Sequence, residues 1–314
     1  MIALWQRNMF QSVPISPSWH KYLPCSMKFL FCLGLLVITS PAFSQPSSKS
    51  NKPLTTSPSR PLPAVLDTLL NVNGHALHFN IWRGQAPAIL FEAGGGDDLS
   101  VWNDILAPIY RATGATLITY DRAGFGRSEL DSNRVSLGQQ VADLHACLSK
   151  LPGTGRYLLV GHSFGGFCST LFAARYPKQV VGAVLVDANH VAYFTNARVR
   201  AIQTQYAPLQ AQFRNAEPGK YWMLAGVVRD QQEMQQAPFP STVPVVDIVA
   251  ERPPFQSPQD ISDWKRVHQQ FVAAAPNRRL VNATGSGHYV MKDQPKLLIK
   301  TITQFYQRCL PKKK

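Results

Sequence analysis

Acidic residues and cysteines are scarce in this 314-residue chain. Asp and Glu number 18 against 32 Lys and Arg, a formal charge of +14, and five cysteines are present. So few cysteines exclude a disulfide-built scaffold, and the 20 glycines follow no triplet period, which excludes a collagen-like rod. The sequence has neither a His-Glu-x-x-His helix nor a Cys pair at zinc spacing, so metal catalysis is not expected and no cofactor is implied. Charged residues make up 16% and hydrophobic residues 45%, too apolar a balance for a disordered chain. A sizeable packed core is expected, as one large domain or two modest ones. The cationic surplus is scattered, and its dense run is Lys312 to Lys314. That pattern predicts a solvated tail at 311–314 and no nucleic-acid face.

A membrane-spanning run is also missing. Lys28 precedes an apolar stretch from Phe29 to Thr39, and Ala42 and Ser44 supply small residues ahead of Gln45. This is the layout of a secretory signal over residues 1–44, too short for the roughly 20 residues of a spanning helix. Export to the periplasm or beyond, with no stable membrane span after cleavage, is the expectation. Met27 to Ser44 already contains the whole layout, so Met27 is a candidate true start. Removing 1–44 takes away Arg7, Lys21 and Lys28 and no acid, leaving the chain basic. It also leaves Cys147, Cys168 and Cys309, an odd number that permits at most one bridge, with the pair open.

Residues 45–63 are Pro, Ser, Thr and Lys with little apolar content, a flexible leader. Asn73-Gly74 then separates Val65–Leu70 from Ala76–Trp82, which predicts a hairpin. Beyond it, short apolar runs at Ala88–Glu92, Thr116–Asp121, Tyr157–Gly161, Ala183–Asp187, Val245–Ala250 and Arg279–Ala283 alternate with stretches of helical period. Helices fit Val101–Thr113, Ser136–Leu151, Phe164–Tyr176, Asp260–Ala275 and Gln294–Cys309. The pattern predicts an α/β fold with a mostly parallel eight-stranded sheet flanked by helices. Its core would span 64–188 and 244–310. Residues 189–243 are too long for a crossover and rich in Gln, Ala and aromatics, a small helical cap.

Gly161-His162-Ser163-Phe164-Gly165-Gly166 lies between an apolar strand and an amphipathic helix. A serine on so tight a turn is strained, and small residues two before and two after it let strand and helix approach. No Gly-Lys-Ser/Thr follows, so this is not a phosphate loop. Ser163 is therefore the candidate nucleophile. Its base must return to the same sheet end, and His288 in Ser286-Gly287-His288-Tyr289 does so after the last strand. His75 and His78 fall in the hairpin, His145 and His268 on helices, and His162 is expected to point away. The orienting acid is expected to be Asp187, which keeps the order Ser, Asp, His, with Glu251 at the end of the next strand as the alternative. Backbone amides of Phe164 and of Gly95, in Ala93-Gly94-Gly95-Gly96, are candidate oxyanion donors.

These residues resemble the α/β-hydrolase superfamily from near Val65 to near Cys309. Gly161 to Gly166 looks like its nucleophile elbow, Ser286 to His288 like its histidine loop, and Tyr120 to Ser128 like its Asp-Arg-x-Gly-x-Gly-x-Ser turn. The resemblance implies that Asp121 and Arg122 brace loops near the site. Two departures stand out: Ala93-Gly94 replaces the usual His-Gly, and the usual Asp after the seventh strand is missing. Dehalogenase-like members place the acid after the sixth strand, where Asp187 falls. A serine cannot serve the alkyl-enzyme chemistry of carboxylate-nucleophile relatives, so the expected activity is acyl transfer to water. The expected partner is a small or medium apolar molecule with an ester-like bond: carboxylic ester, thioester or lactone. Tyr193, Phe194, Tyr206, Phe213, Tyr221, Trp222 and Met223 are either pocket lining or the cap's own core. A rival function is a ligand sensor that keeps the site without turnover, and a second is a basic surface-binding protein. Multiple turnovers on an ester series separate the first, and salt-sensitive retention on anionic surfaces the second.

Overall fold

The computed structural model describes residues 60–310; the signal segment, the leader up to residue 59 and the tail 311–314 lie outside the described residues. The chain opens with a hairpin of β1 (Val65–Val72) and β2 (His75–Trp82). Its turn residues Asn73 and Gly74 both have positive φ, 48° and 89°. A two-residue turn between twisted strands requires this, and Asn and Gly tolerate it best.

Strands and helices then alternate: β3 (Gln85–Glu92), α1 (Asn103–Thr113), β4 (Ala115–Tyr120), α2 (Leu137–Leu148), β5 (Tyr157–His162), α3 (Gly165–Arg175) and β6 (Val180–Val186). Ser136 starts α2 with a reciprocal capping box to Gln139. The interval 189–243 holds four α-helices, α4 (Asn196–Tyr206), α5 (Gln210–Ala216), α6 (Pro218–Ala225) and α7 (Val227–Gln236). β7 (Val245–Arg252), α8 (Pro258–Ala273), β8 (Arg278–Gly287), the short α9 (Val290–Asp293) and α10 (Pro295–Cys309) complete the chain.

All eight strands form one sheet in the order β1-β2-β4-β3-β5-β6-β7-β8. β1, β2 and β4 pair antiparallel, and every pairing from β3 with β4 through β7 with β8 is parallel. The architecture is the expected mostly parallel α/β sheet. The central strands β5 and β6 are buried along their whole length because both faces are covered. In β5, Tyr157 and Leu159 enter one core cluster while Leu158 and Val160 enter the other. Such alternation contributes roughly 1.5–3 kcal/mol for each fully buried aliphatic side chain.

Strand order also places the site. From β3 the chain moves outward to β4 and then returns to the other side of β3 as β5. The ends of β3 and β5 are in register, with Glu92 opposite Gly161. Loops leaving such a reversal diverge and open a crevice at the strands' carboxyl ends.

One finding differs from the sequence reading. β8 runs on to Gly287, past the expected end at Ala283, because a register shift between Ala250 and Arg252 lets Gly287 pair with Arg252. Gly285, at φ +78°, supplies the bend. Cys147, Cys168 and Cys309 are all free thiols. Cys147 and Cys168 sit in one core cluster and Cys309 packs against the other, across the sheet. Burial pushes the Cys147 and Cys309 thiols up to about 11. Among the described residues no helix is long and apolar enough to cross a membrane.

Candidate active site

Ser163 joins β5 to α3 with φ +51°, a left-handed conformation rare for a residue with a side chain. Its neighbours make the turn possible. A Cβ on Gly161 would lie 2.5 Å from Ser169 Oγ, and one on Gly165 would lie 2.4 Å from the Glu92 carbonyl oxygen. The Ser163 carbonyl accepts from Gly166 N at 2.9 Å and from Asn189 N at 2.8 Å, tying the turn to the segment after β6. The half-buried Ser163 thus sits at the start of α3, whose N-terminal end favours negative charge.

His288 follows β8 directly, and its Nδ1 donates to Asp187 Oδ2 at 2.6 Å. Asp187 is fully enclosed and also has positive φ, 42°. Its other oxygen accepts from Trp264 Nε1 at 2.9 Å and from Ala250 N at 3.0 Å. Burial works to raise this carboxyl. The hydrogen bond and charge of His288, the charge of His268 and the Trp264 indole outweigh it and hold Asp187 below the usual carboxylate range. Glu251 is elsewhere: it is exposed, and its Oε2 accepts from Gly285 N at 2.6 Å. Of the two acids open in the sequence, Asp187 is the one the structure brings to the imidazole.

His162 departs from expectation. Its ring does not turn away but lies 4.6 Å from that of His288, and its Nε2 donates to the His288 carbonyl at 3.0 Å. Burial first, then the neighbouring His288 charge, keep His162 well below its ordinary range and therefore neutral. The strand alternation that argued for a turned-away ring holds, but the β8 extension carries the histidine loop over it.

The Ala93 to Gly96 loop meets the serine turn closely. A Cβ on Gly95 would lie 2.9 Å from Met223 Sδ and 3.4 Å from Phe164 Cβ, so a side chain there would fill the approach between loop and turn. Arg122 fixes the loop from below, its guanidinium donating to the carbonyls of Ala93 and Gly94. Asp121 accepts from Leu99 N and Arg127 N, both at 2.8 Å, and from His78 Nδ1 at 2.7 Å. Both residues brace loops, the role the resemblance implied. Asp97, which sequence reading did not single out, accepts from Tyr289 OH at 3.2 Å, and burial raises its carboxyl.

Ser163, His288, Gly95 and Phe164 line one cavity of about 250 Å³. Of the seven residues of 189–243 left open between pocket lining and cap core, four line the cavity. Tyr193, Phe194, Tyr206 and Met223 line the cavity, whereas Phe213, Tyr221 and Trp222 do not. Phe213 packs against Tyr206 with ring centroids 6.3 Å apart. Arg198 of α4 also borders the cavity and reaches Asp260 at 3.1 Å and Asp263 at 2.5 Å. Trp264, which holds Asp187, forms part of the same wall. Its sequence signal was hidden, because a Trp on a helix reads first as core.

Comparison with known proteins yields four findings. Residues 87–243 match the family model described as the alpha/beta hydrolase fold. The chain is 26% identical over 239 residues to the uncharacterized protein YqjL of Bacillus subtilis, covering 75% of this chain and 90% of that protein. Among solved structures, the epoxide hydrolase VrEH1 from Vigna radiata superposes with a TM-score of 0.62 at 14% identity, over 78% of this chain and 98% of that one. A thermophilic esterase from Thermogutta terrifontis superposes with a TM-score of 0.54 at 18% identity, over 78% and 99%. At such identities the likeness is one of fold.

Proposed function

The chain belongs to the alpha/beta hydrolase fold family, and from that premise we propose that it is a serine hydrolase cleaving ester-like bonds through an acyl-enzyme. The observation that carries this reading is the meeting of a strained Ser163, facing the same cavity as His288, with an Asp187 to His288 hydrogen bond of 2.6 Å.

The Asp187 carboxylate accepts the Nδ1 proton of His288, so the other ring nitrogen keeps its lone pair free for the serine proton. Ser163 Oγ attacks the substrate carbonyl carbon as His288 takes its proton. The resulting oxyanion is held by the amides of Gly95 and Phe164, and such a donor supplies about 2.7–4 kcal/mol. His288 then protonates the leaving oxygen or sulfur, and the acyl group remains on Ser163. Water, deprotonated by His288, attacks the acyl carbon and frees the serine.

At about 250 Å³ the cavity falls just below the size range of ordinary ligand pockets, and Phe164, Phe167, Phe194 and Met223 make much of its wall apolar. A small or medium apolar acyl group fits that size and chemistry. The signal-like layout of residues 1–44 supports an exported location for the reaction, and N-terminal sequencing of the mature protein checks this. The reading is tested with activated esters under pre-steady-state conditions. Wild-type protein should show a burst of about one equivalent of alcohol followed by turnover, and Ser163→Ala should show neither. Undiminished turnover by Ser163→Ala removes the serine from the mechanism, and labelling without turnover makes the protein a sensor.

A further inference from the structure

The cavity wall holds a sulfur atom that the hydrolytic steps do not use. Met223 of α6 lines the cavity with Ser163 and His288, and its thioether lies against the main chain of Gly95. A Cβ on Gly95 would stand 2.9 Å from Met223 Sδ and 3.1 Å from its Cε, so the sulfur occupies room that only a glycine leaves. The helix that brings the sulfur is itself seated on the same loops. A Cβ on Gly124 would meet Gly219 Cα at 2.7 Å, and one on Gly96 would meet Cε of the buried Lys220 at 3.3 Å. Gly219 and Lys220 precede Met223 by four and three residues, so α6 lays one face on the loops and holds the thioether there.

Thioethers take up oxygen in a two-electron oxidation, and access decides which of them reacts. Among the described residues Met234 and Met291 are each 1% exposed, whereas Met223 is half-buried and faces the cavity. Met1, Met9 and Met27 belong to the segment 1–44. The thiols of the described residues compete poorly. Cys147 and Cys168 are buried and Cys309 is half-buried, and burial raises all three thiols, Cys147 and Cys309 to about 11, so little reactive thiolate forms at neutral pH.

We propose that Met223 is an oxidation site through which a peroxide switches the hydrolase off.

The sulfur lone pair takes one oxygen of hydrogen peroxide as the O–O bond breaks. The proton of the transferred oxygen passes to the departing hydroxide, which leaves as water; sulfur loses two electrons and the peroxide gains them. A polar S–O group then stands where a soft apolar sulfur met Gly95. Its oxygen has to push the loop aside or accept from the Gly95 N–H, and either way that amide no longer meets the substrate oxyanion. Loss of one such donor lowers kcat by about 10²–10³-fold. The loss of rate rests on the proposed role of Gly95, whereas the oxidation of sulfur does not.

The test treats the full-length protein with hydrogen peroxide at neutral pH and sets peptide mass analysis beside kcat and KM for an activated ester. One oxygen atom should enter the peptide that holds Met223, and kcat should fall about a hundredfold in step with the fraction modified. Methionine sulfoxide reductases of both stereospecificities should restore the rate. Met223→Leu keeps an apolar contact without the sulfur, so peroxide should leave that protein at its own untreated rate. An unmodified Met223, a fully modified Met223 with unchanged kcat, or equal inactivation of Met223→Leu would each overturn the proposal. The mass, rate and reductase readouts need only the wild-type protein and decide the matter even where Met223→Leu does not fold. Ser163→Ala keeps the two readings apart. It should gain the oxygen at Met223 as fast as wild type, because the chemistry at sulfur needs no serine; undiminished turnover by Ser163→Ala would remove the serine mechanism and leave the oxidation site standing.

Discussion

The sheet centre and the helical interval above it are built on different terms. β5 and β6 bury every one of their residues, whereas α4 buries only Val199 and Tyr206. The sheet is fixed by two apolar layers and by parallel hydrogen bonding. The interval 189–243 joins the body through apolar side chains, with Met234, Phe239 and Val243 entering a core cluster, and through polar contacts: Arg198 to Asp260 and Asp263, Glu233 to Arg175 at 2.6 Å, and Asp230 accepting from Leu137 N at 3.2 Å. Half-exposed ion pairs of this kind are each worth about 1 kcal/mol or less. The lesson is a division of labour. Ser163, Asp187 and His288 all follow strand ends, where backbone strain and sub-3 Å hydrogen bonds can be sustained, while residues that shape the ligand come partly from the more exposed helix α4.

The largest break in this comparison should come from the turn itself. Ser163→Ala is expected to lower kcat/KM by at least about a thousandfold with no loss of stability, checked by ester hydrolysis and a urea melt together. Leu159→Ala, in the sheet, should cost about 2–5 kcal/mol by urea unfolding with the chemistry intact in the fraction that folds. Phe194→Ala, in the roof, should do the reverse: a small stability change and a shifted acyl-length preference, read as KM across an ester series.

A pH experiment sharpens the same contrast from beneath the site. Glu92 ends β3 fully buried, with Tyr120 OH donating to it at 2.7 Å, and burial pushes its carboxyl up to about 7. An acid raised in the folded state costs nothing below its unfolded value near 4.5 and destabilises progressively as pH rises toward 7. Glu92→Gln should therefore match wild type at pH 4.5 and be more stable at pH 8 by about 3 kcal/mol. The smallest effect is expected for Arg198→Ala, about 1 kcal/mol or less in stability with a modest rise in KM.

How much of this was legible in the sequence follows the same divide. Strands such as Tyr157–His162 are written as apolar runs because both faces are buried, and Asn73-Gly74 announces its turn through backbone preference alone. Ser163 was legible because its strain demands Gly161 and Gly165 at fixed offsets. The acid was legible in part: chain order favoured Asp187, but a carboxylate is recognised by what it faces; Asp187 and Glu251 both end strands, and three-dimensional register sends one to His288 and the other to Gly285 N. His162 was misjudged because the reach of β8 depends on a bulge with no strong local signal. The role of Trp264 is invisible in one dimension, because its partner Asp187 lies 77 residues away.

Active-site labelling by a fluorophosphonate, followed by intact and peptide mass analysis, tests the central claim most directly. One adduct per chain, located on Ser163, absent in Ser163→Ala and formed far more slowly in His288→Ala, is the predicted result. An adduct on another residue, or equal labelling of all three proteins, would contradict the account.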